Sequence, residues 1–289
     1  MIRGWYTGAS GMRAQQARLD SLANNLANVD TNAYKKDVSV QKSFAELLIR
    51  REDDGGVRLN PFGSSDEPPI IGKLGTGVET NELYTIFSQG AMRQTDNPYD
   101  IALDGEGFIA VQTPQGERYT RNGAFTLGLE GYLETKEGYP VLGTSGQPVK
   151  VQENNFQIDK AGNIYINNYY VQNPQEFIGD TENQWQDTVL LDSIKLVDFK
   201  SETGAGSRYI QKQGNSLYKA TDVSGPATDL EGQERPRIVQ GFVETSNVEP
   251  VTEMVQMIEV QRAYEANQKA VMNADSMLGV LINQVSRLA

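Results

Sequence analysis

Both ends of the chain repeat apolar side chains every three or four residues, and the middle does not. Over residues 7–30 the side chains Met12, Leu19, Leu22, Leu26 and Val29 are spaced by seven, three, four and three, a heptad-like seam. From 250 to the C-terminus the pattern recurs through Met254, Met257, Gln261, Tyr264, Gln268, Val271, Leu278, Ile282 and Val285, with polar Asp275 filling one position. Ile258 lies beside this stripe. Pro250 suits the first turn of a helix, and neither segment has a later proline. A helix over 7–30 would run roughly 36 Å. The pattern predicts two terminal helices that pair with each other.

Each helix also carries small residues. Gly8, Ala9, Gly11, Ala17, Ala23 and Ala27 recur along the first, and Ala263, Ala266, Ala270 and Ala274 along the second. Such residues permit close helix approach, although alanine is also simply a good helix former. The stretch SLANNLANVDTNAYKK (21–36) poses a question, because Asn24, Asn25 and Asn28 ride among its leucines. Asparagine weakens helices, since its amide competes for backbone hydrogen bonds.

The middle reads differently. Residues 53–78 are rich in Gly, Pro and Asp and read as irregular or extended. From 79 to about 240, segments such as EGFIAVQT, ERYTRNGAFTL and NIYINN alternate apolar and polar residues between turn signals. Asn122-Gly123 predicts a type I′ hairpin, which needs positive φ at both positions. Residues 200–208 and 222–236 read as loops. The expected class is α+β, in four parts. Residues 1–35 form an N-terminal helix, 36–80 a connector, 81–240 a β-rich domain and 241–289 a C-terminal helix.

Composition narrows the function. The 289 residues carry a formal charge of −12, against nucleic acid as the main partner. Cysteine and histidine are both absent, which removes disulfides, thiolate nucleophiles, Cys/His zinc sites and imidazole catalysis. The first twenty residues have no continuous apolar run, and Arg3, Arg13 and Arg18 interrupt them, so no cleaved signal peptide is expected. No transmembrane helix is expected either.

Three local patterns hint at chemistry, and each has a plainer reading. DKAGNI (159–164) has part of a calcium-loop rhythm without its further oxygen ligands, and reads as a β-turn. GKLGTG (72–77) lacks the ending of a phosphate-binding loop and reads as a connector. Asp100, Asp104 and Glu106 could suggest a carboxylate-based cell-wall hydrolase, but DGEG makes a turn the simpler account. No catalytic, metal or cofactor site is assigned. A soluble coiled-coil adaptor, closed as a dimer, is a third class.

Three blocks carry a resemblance. GWYTGASGMRAQQARLDSLANNLANVDTNAYKK at the start, GAMRQTDNPYDIALDGEGFIAVQTPQGERYTRNGAFTL in the middle and SNVEPVTEMVQMIEVQRAYEANQKAVMNADSML near the end resemble, in the same order, the flagellar rod and hook family. The start and the EPVTEMV segment look most like its proximal-rod type, with the distal-rod type as runner-up. The family turn usually has glycine where this chain has Ala33, implying positive φ there. Either Asn32 takes that conformation or the turn is locally different.

The resemblance implies a structural subunit and no enzyme. It implies export through the flagellar type III apparatus without a cleaved signal, and assembly in the periplasm with itself and other rod proteins. The terminal helices would form the inner layer of the basal-body rod, transmitting torque to the hook, with the β domain outside. The asparagines, and Gln261 and Gln268 on the second helix, would then fix stagger between neighbouring subunits, as a lone asparagine fixes register in a coiled coil. The plainer reading is that these amides face water or cap the helix end, which Asn28 and Asp30 are near enough to do. On this reading the interface comprises the seam residues above with Asn24, Asn25, Asn28 and Ile258. The free helices are expected to be disordered before docking.

Overall fold

The computed structural model describes residues 2–50, 58–60, 63–65, 70–151, 156–167, 188–201, 204–214, 216–230, 232 and 235–285. The chain is α+β, with helix α1 (Ile2–Ala27) at one end, helix α2 (Pro250–Val285) at the other and strands between. It divides into two compact units. One holds Met1–Asn24, Asp37–Tyr84 and Val251–Ala289, and the other Asn25–Lys36 and Thr85–Pro250. The connector, expected as irregular or extended, clusters with the helices, and its described residues include extended strands.

In the helical unit, α1 begins five residues before the expected start and ends three before the expected stop. Strand β1 (Asp37–Ser43) pairs with a later strand, and β2 (Leu47–Arg50) forms a bulged antiparallel ribbon with β3 (Ile70–Leu74). The partner of β1 is β4 (Val78–Thr85). Side chains tie α1 to these strands. Ser21 Oγ donates to Asp37 O at 2.9 Å, Gln41 Nε2 to Ala14 O at 3.2 Å, and Val78 N to Ser10 Oγ at 3.3 Å. The helices meet where α1 has no side chain. A Cβ placed on Gly8 would lie 2.7 Å from Val271 Cγ2, and one on Gly11 would lie 2.9 Å from Asn267 Nδ2.

The second unit holds a six-stranded sheet. The sheet and the strands flanking it are, in chain order, β5 (Met92–Gln94), β6 (Ile101–Asp104), β7 (Phe108–Thr113), β8 (Gly116–Thr120), β9 (Leu196–Asp198), β10 (Gln211–Gln213), β11 (Leu217–Lys219), β12 (Thr228–Asp229), β13 (Arg237–Gln240) and β14 (Phe242–Glu244). The sheet runs β10-β11-β8-β7-β9-β12, while β13 pairs with β6 and β14 with β5. Residues 108–111 are all buried, contrary to the expected alternation. The reason is that β7 has a core on each face. Ile109 and Val111 join an aliphatic core with Ile101, Leu133, Ile164 and Ile194. Phe108 and Ala110 join an aromatic one, where Phe108 meets Phe87, Phe199 and Tyr218 edge-on with ring centres 5.4–5.6 Å apart.

Asn122-Gly123 is not a type I′ turn. Neither residue has positive φ, and β8 and the following strand Phe125–Leu127 belong to different sheets. The glycine is needed for space, because a Cβ on Gly123 would fall 1.6 Å from Ile101 O. By contrast, 159–162 is the expected turn. Gly162 has φ 84° and its N–H donates to Asp159 O at 2.7 Å, joining the strands Phe156–Ile158 and Asn163–Asn167.

Candidate assembly interface

The inward seam of α2 differs from the predicted one. Val260 is buried, and Tyr264, Asn267, Val271, Ala274 and Leu278 are half-buried at steps of four, three, four, three and four. Tyr264, Val271 and Leu278 were predicted. Met254, Gln261, Gln268 and Ile282 are exposed, while Met257 is half-buried. The inward amide is thus Asn267, against Gly11, and not Gln261 or Gln268. The inward seam lies one position before the predicted one at Val260, Asn267 and Ala274. The side chain of Val285 lies outside the described residues.

The displaced residues leave an apolar stripe outside. Val251, Met254, Val255 and Ile258 are 44–69% exposed at the i, i+3, i+4, i+7 spacing of one helical face. Met277, Val280, Leu281 and Ile282 are also exposed near the other end. In the same unit a groove of about 600 Å3 is lined by Tyr6, Ala9, Arg13 and Ala17 of α1 with Phe44 and Val78. Ribbon β2–β3 exposes Leu47, Leu48 and Ile49. Single exposed aliphatics are ordinary, but a helical stripe of them marks a docking face.

On α1, Met12, Leu19 and Leu26 are half-buried, Asn24 is exposed, and Leu22 and Asn25 are buried; Asn28 and Val29, in the turn after it, are half-buried. Leu22 and Asn25 are covered by their own chain. Asn25 Oδ1 accepts from the Tyr34 hydroxyl at 3.2 Å, so one of the puzzling asparagines ties the helix end to the turn after it. Asn28 accepts from Thr31 Oγ1 at 3.2 Å and its carbonyl from Thr31 N, closing that turn. Two residues on, Ala33 and not Asn32 takes the left-handed conformation, with φ 54°. Ala33 N donates to Glu244 O at 2.8 Å, which holds the strained residue in place.

Glu244 is the residue that sequence reasoning missed. It is 2% exposed, and its Oε1 accepts from Lys35 Nζ at 2.5 Å and from Gly90 N at 2.8 Å. Its Oε2 accepts from Arg121 Nε at 2.9 Å. Lys35 also donates to Ser88 O at 2.8 Å, and Arg121 to the carbonyls of Gly107 at 2.5 Å and Gly105. Burial pushes the Glu244 carboxyl up, but Arg121 and Lys35 outweigh it and hold it below the ordinary carboxylate range. Burial pushes the Lys35 ammonium down, and Glu244 pulls it back only in part. Asn247 completes the cluster. Its Oδ1 accepts from Lys36 N at 2.8 Å, and its Nδ2 donates to Ile86 O at 2.9 Å and Ser88 O at 3.2 Å. A charged residue directly after buried Val243 was the only signal in the sequence.

Asp100 is buried while Asp104 and Glu106 are exposed, so the three do not share one environment. Among the described residues no three acidic side chains are grouped to hold a metal ion. No described helix is long and apolar enough to cross a membrane.

Three stretches match families of known proteins. Residues 6–35 match the family described as Flagella basal body rod protein, 102–168 the Flagellar hook protein FlgE/F/G D1 domain, and 239–284 the Flagellar basal body rod FlgEFG protein C-terminal. Lys35, Arg121 and Glu244 fall one in each. Whole-length relatives agree. The flagellar basal-body rod protein FlgG of Borreliella burgdorferi is 33% identical over 286 residues, covering 98% of both chains. The flagellar hook-basal body complex protein FlhO of Bacillus subtilis is 31% identical over 302 aligned positions and all of both chains. FlgG of the same organism is 30% identical over 98% of this chain and 99% of its own. Collinear similarity along the whole length, with a node joining all three matched stretches, means that this chain belongs to the flagellar basal-body rod and hook (FlgE/F/G) family.

Proposed function

We propose that the protein is a structural subunit of the flagellar basal-body rod, of the distal-rod type, polymerising through α1 and α2. The observation that carries this reading is the end-to-end similarity to relatives named FlgG at 30–33% identity. It favours the distal-rod type over the proximal-rod (FlgF) type that the N-terminal and EPVTEMV segments suggested. Residues 1–35 and 241–289, with the connector 36–80, make the inner layer, and 81–240 the outer one. The docking face is the exposed stripe of α2, including Met254, Ile258, Gln261, Gln268 and Ile282, with Asn24 on α1. A neighbouring copy or another rod protein covers it. The chain reaches the periplasm through the flagellar export apparatus.

The test is complementation. Expressed in motile cells lacking their own FlgG, the chain restores rods and swimming. In cells lacking FlgF it does not. Rescue of only the FlgF-deficient strain returns the proximal-rod assignment. Rescue of neither, with the chain exported, removes both.

A further inference from the structure

Glu244 ends β14, six residues before α2 begins, and Lys35 lies eight residues after α1 ends. The segments 33–36, 86–90 and 244–247 are joined mainly by side chains and not by a strand ladder, since β14 pairs with β5. Only Ala33 N to Glu244 O, Asn247 N to Tyr34 O and Ile86 N to Lys36 O are backbone bonds among them. The side-chain ties run through Lys35, Glu244 and Asn247, with the N–H of Gly90 on the Glu244 carboxylate.

The charge count makes one member decisive. Two buried cations face one carboxylate. Without it both would be uncompensated, and breaking a buried pair costs far more than losing a surface one. The two cations differ in what else holds them. Arg121 keeps two carbonyls of its own unit. Lys35 keeps one, Ser88 O, and has a flexible stem. The lower-cost relief is for Lys35 to leave, carrying Ala33, Tyr34 and Lys36 with it. Among the described residues the ion pairs of Lys35 and Arg121 are with Glu244, whereas Glu106 is exposed and Asp198 accepts from the N–H of Phe199. Lys212 sits 4.3 Å over the Tyr34 ring and donates to Lys35 O at 2.6 Å, while Glu106 and Asp198 line a small pocket of about 160 Å3 beside Lys35 and Arg121.

We propose that Glu244 is a latch: its carboxylate holds the segment after α1 and the segment before α2 in one unit, and losing that charge frees both while the six-stranded sheet stays folded. The latch closes only when residues from both ends of the chain are present, so an incomplete chain leaves Lys35 unpaired. It stands apart from the rod assignment, because it concerns order within one chain.

Hydrogen exchange with mass spectrometry on the full chain at neutral pH tests it. Glu244→Gln is expected to raise exchange by about 100-fold or more at the amides of Ala33 and Lys36 after α1, Ile86 and Gly90, and Asn247 before α2 together, with those of β7 and β8 unchanged. Lys35→Met leaves one cation against one carboxylate, so its effect on the same amides is about tenfold smaller. Release of one segment alone, release of neither, or loss of protection in β7 and β8 in step with the segments overturns the latch. So does Lys35→Met acting as strongly as Glu244→Gln.

Discussion

Replacing Gly8 or Gly11 with alanine tests the approach of α1 and α2. Both glycines lie inside a helix, where alanine is favoured by about 1 kcal/mol. What opposes this gain differs between the sites. At Gly11 the new methyl meets the terminal amide of Asn267 at 2.9 Å, and a rotation of that side chain relieves it. At Gly8 it meets Val271 Cγ2 at 2.7 Å, shorter than a carbon–carbon contact tolerates. A helical valine holds essentially one χ1 rotamer, so the methyl cannot swing aside. Overpacking of this kind costs about 1–3 kcal/mol. Gly11→Ala is therefore expected to stabilise by about 0.5–1 kcal/mol and Gly8→Ala to destabilise by about 1 kcal/mol. Adding Val271→Ala to Gly8→Ala removes the clash, with a coupling of about 1–2 kcal/mol in a double-mutant cycle. Urea unfolding followed at 222 nm reads all five chains, the parent and Val271→Ala included. If Gly8→Ala stabilises as much as Gly11→Ala, the helices do not meet at Val271.

Ala33→Val forces a β-branched residue into the left-handed region and should cost about 2 kcal/mol or more, whereas Asn32→Val should cost under about 1 kcal/mol; thermal melts of the two variants distinguish them. The folded Glu244 carboxyl titrates below its unfolded value, so as pH falls through the acidic carboxylate range the unfolded state takes up the proton first. Stability present at neutral pH is therefore lost on acidification, and Glu244→Gln, less stable at neutral pH, should show a flatter acid dependence in urea titrations. Ile258→Asp changes a side chain that is 49% exposed, so it should leave the melting curve nearly unchanged while lowering polymer yield by about tenfold in sedimentation assays. Gly123→Ala drives a methyl onto the Ile101 carbonyl and should cost several kcal/mol, seen as loss of soluble folded protein.

The helices were legible because a repeat of three and four survives in sequence, and Pro250 marks the start of α2 where expected. The side of α2 that faces inward was less so. Size misled the reading there, since exposed Met254 and Ile282 outweigh the small inward Ala274. Gly123 was read for the conformation it permits, and its use is the volume it leaves empty. Ala33 adopts the unusual φ itself, because a backbone bond from Glu244 fixes it, and no local propensity encodes such a bond. The node was illegible for the same reason. Lys35 and Glu244 are 209 positions apart, and neither residue reveals its burial until the chain has folded.

Strand β7 carries one further consequence. Its odd and even residues answer to different solvents, one aliphatic and one aromatic. A strand with a single buried face can slip by one residue and expose its apolar set to water, which is penalised on that face alone. A slip in β7 would instead send Phe108 and Ala110 among the branched aliphatics and deliver Ile109 and Val111 to the rings of Phe199 and Tyr218. Both cores would be misfilled at once. The strand thus acts as a parity check on the whole sheet, rejecting odd shifts from either side.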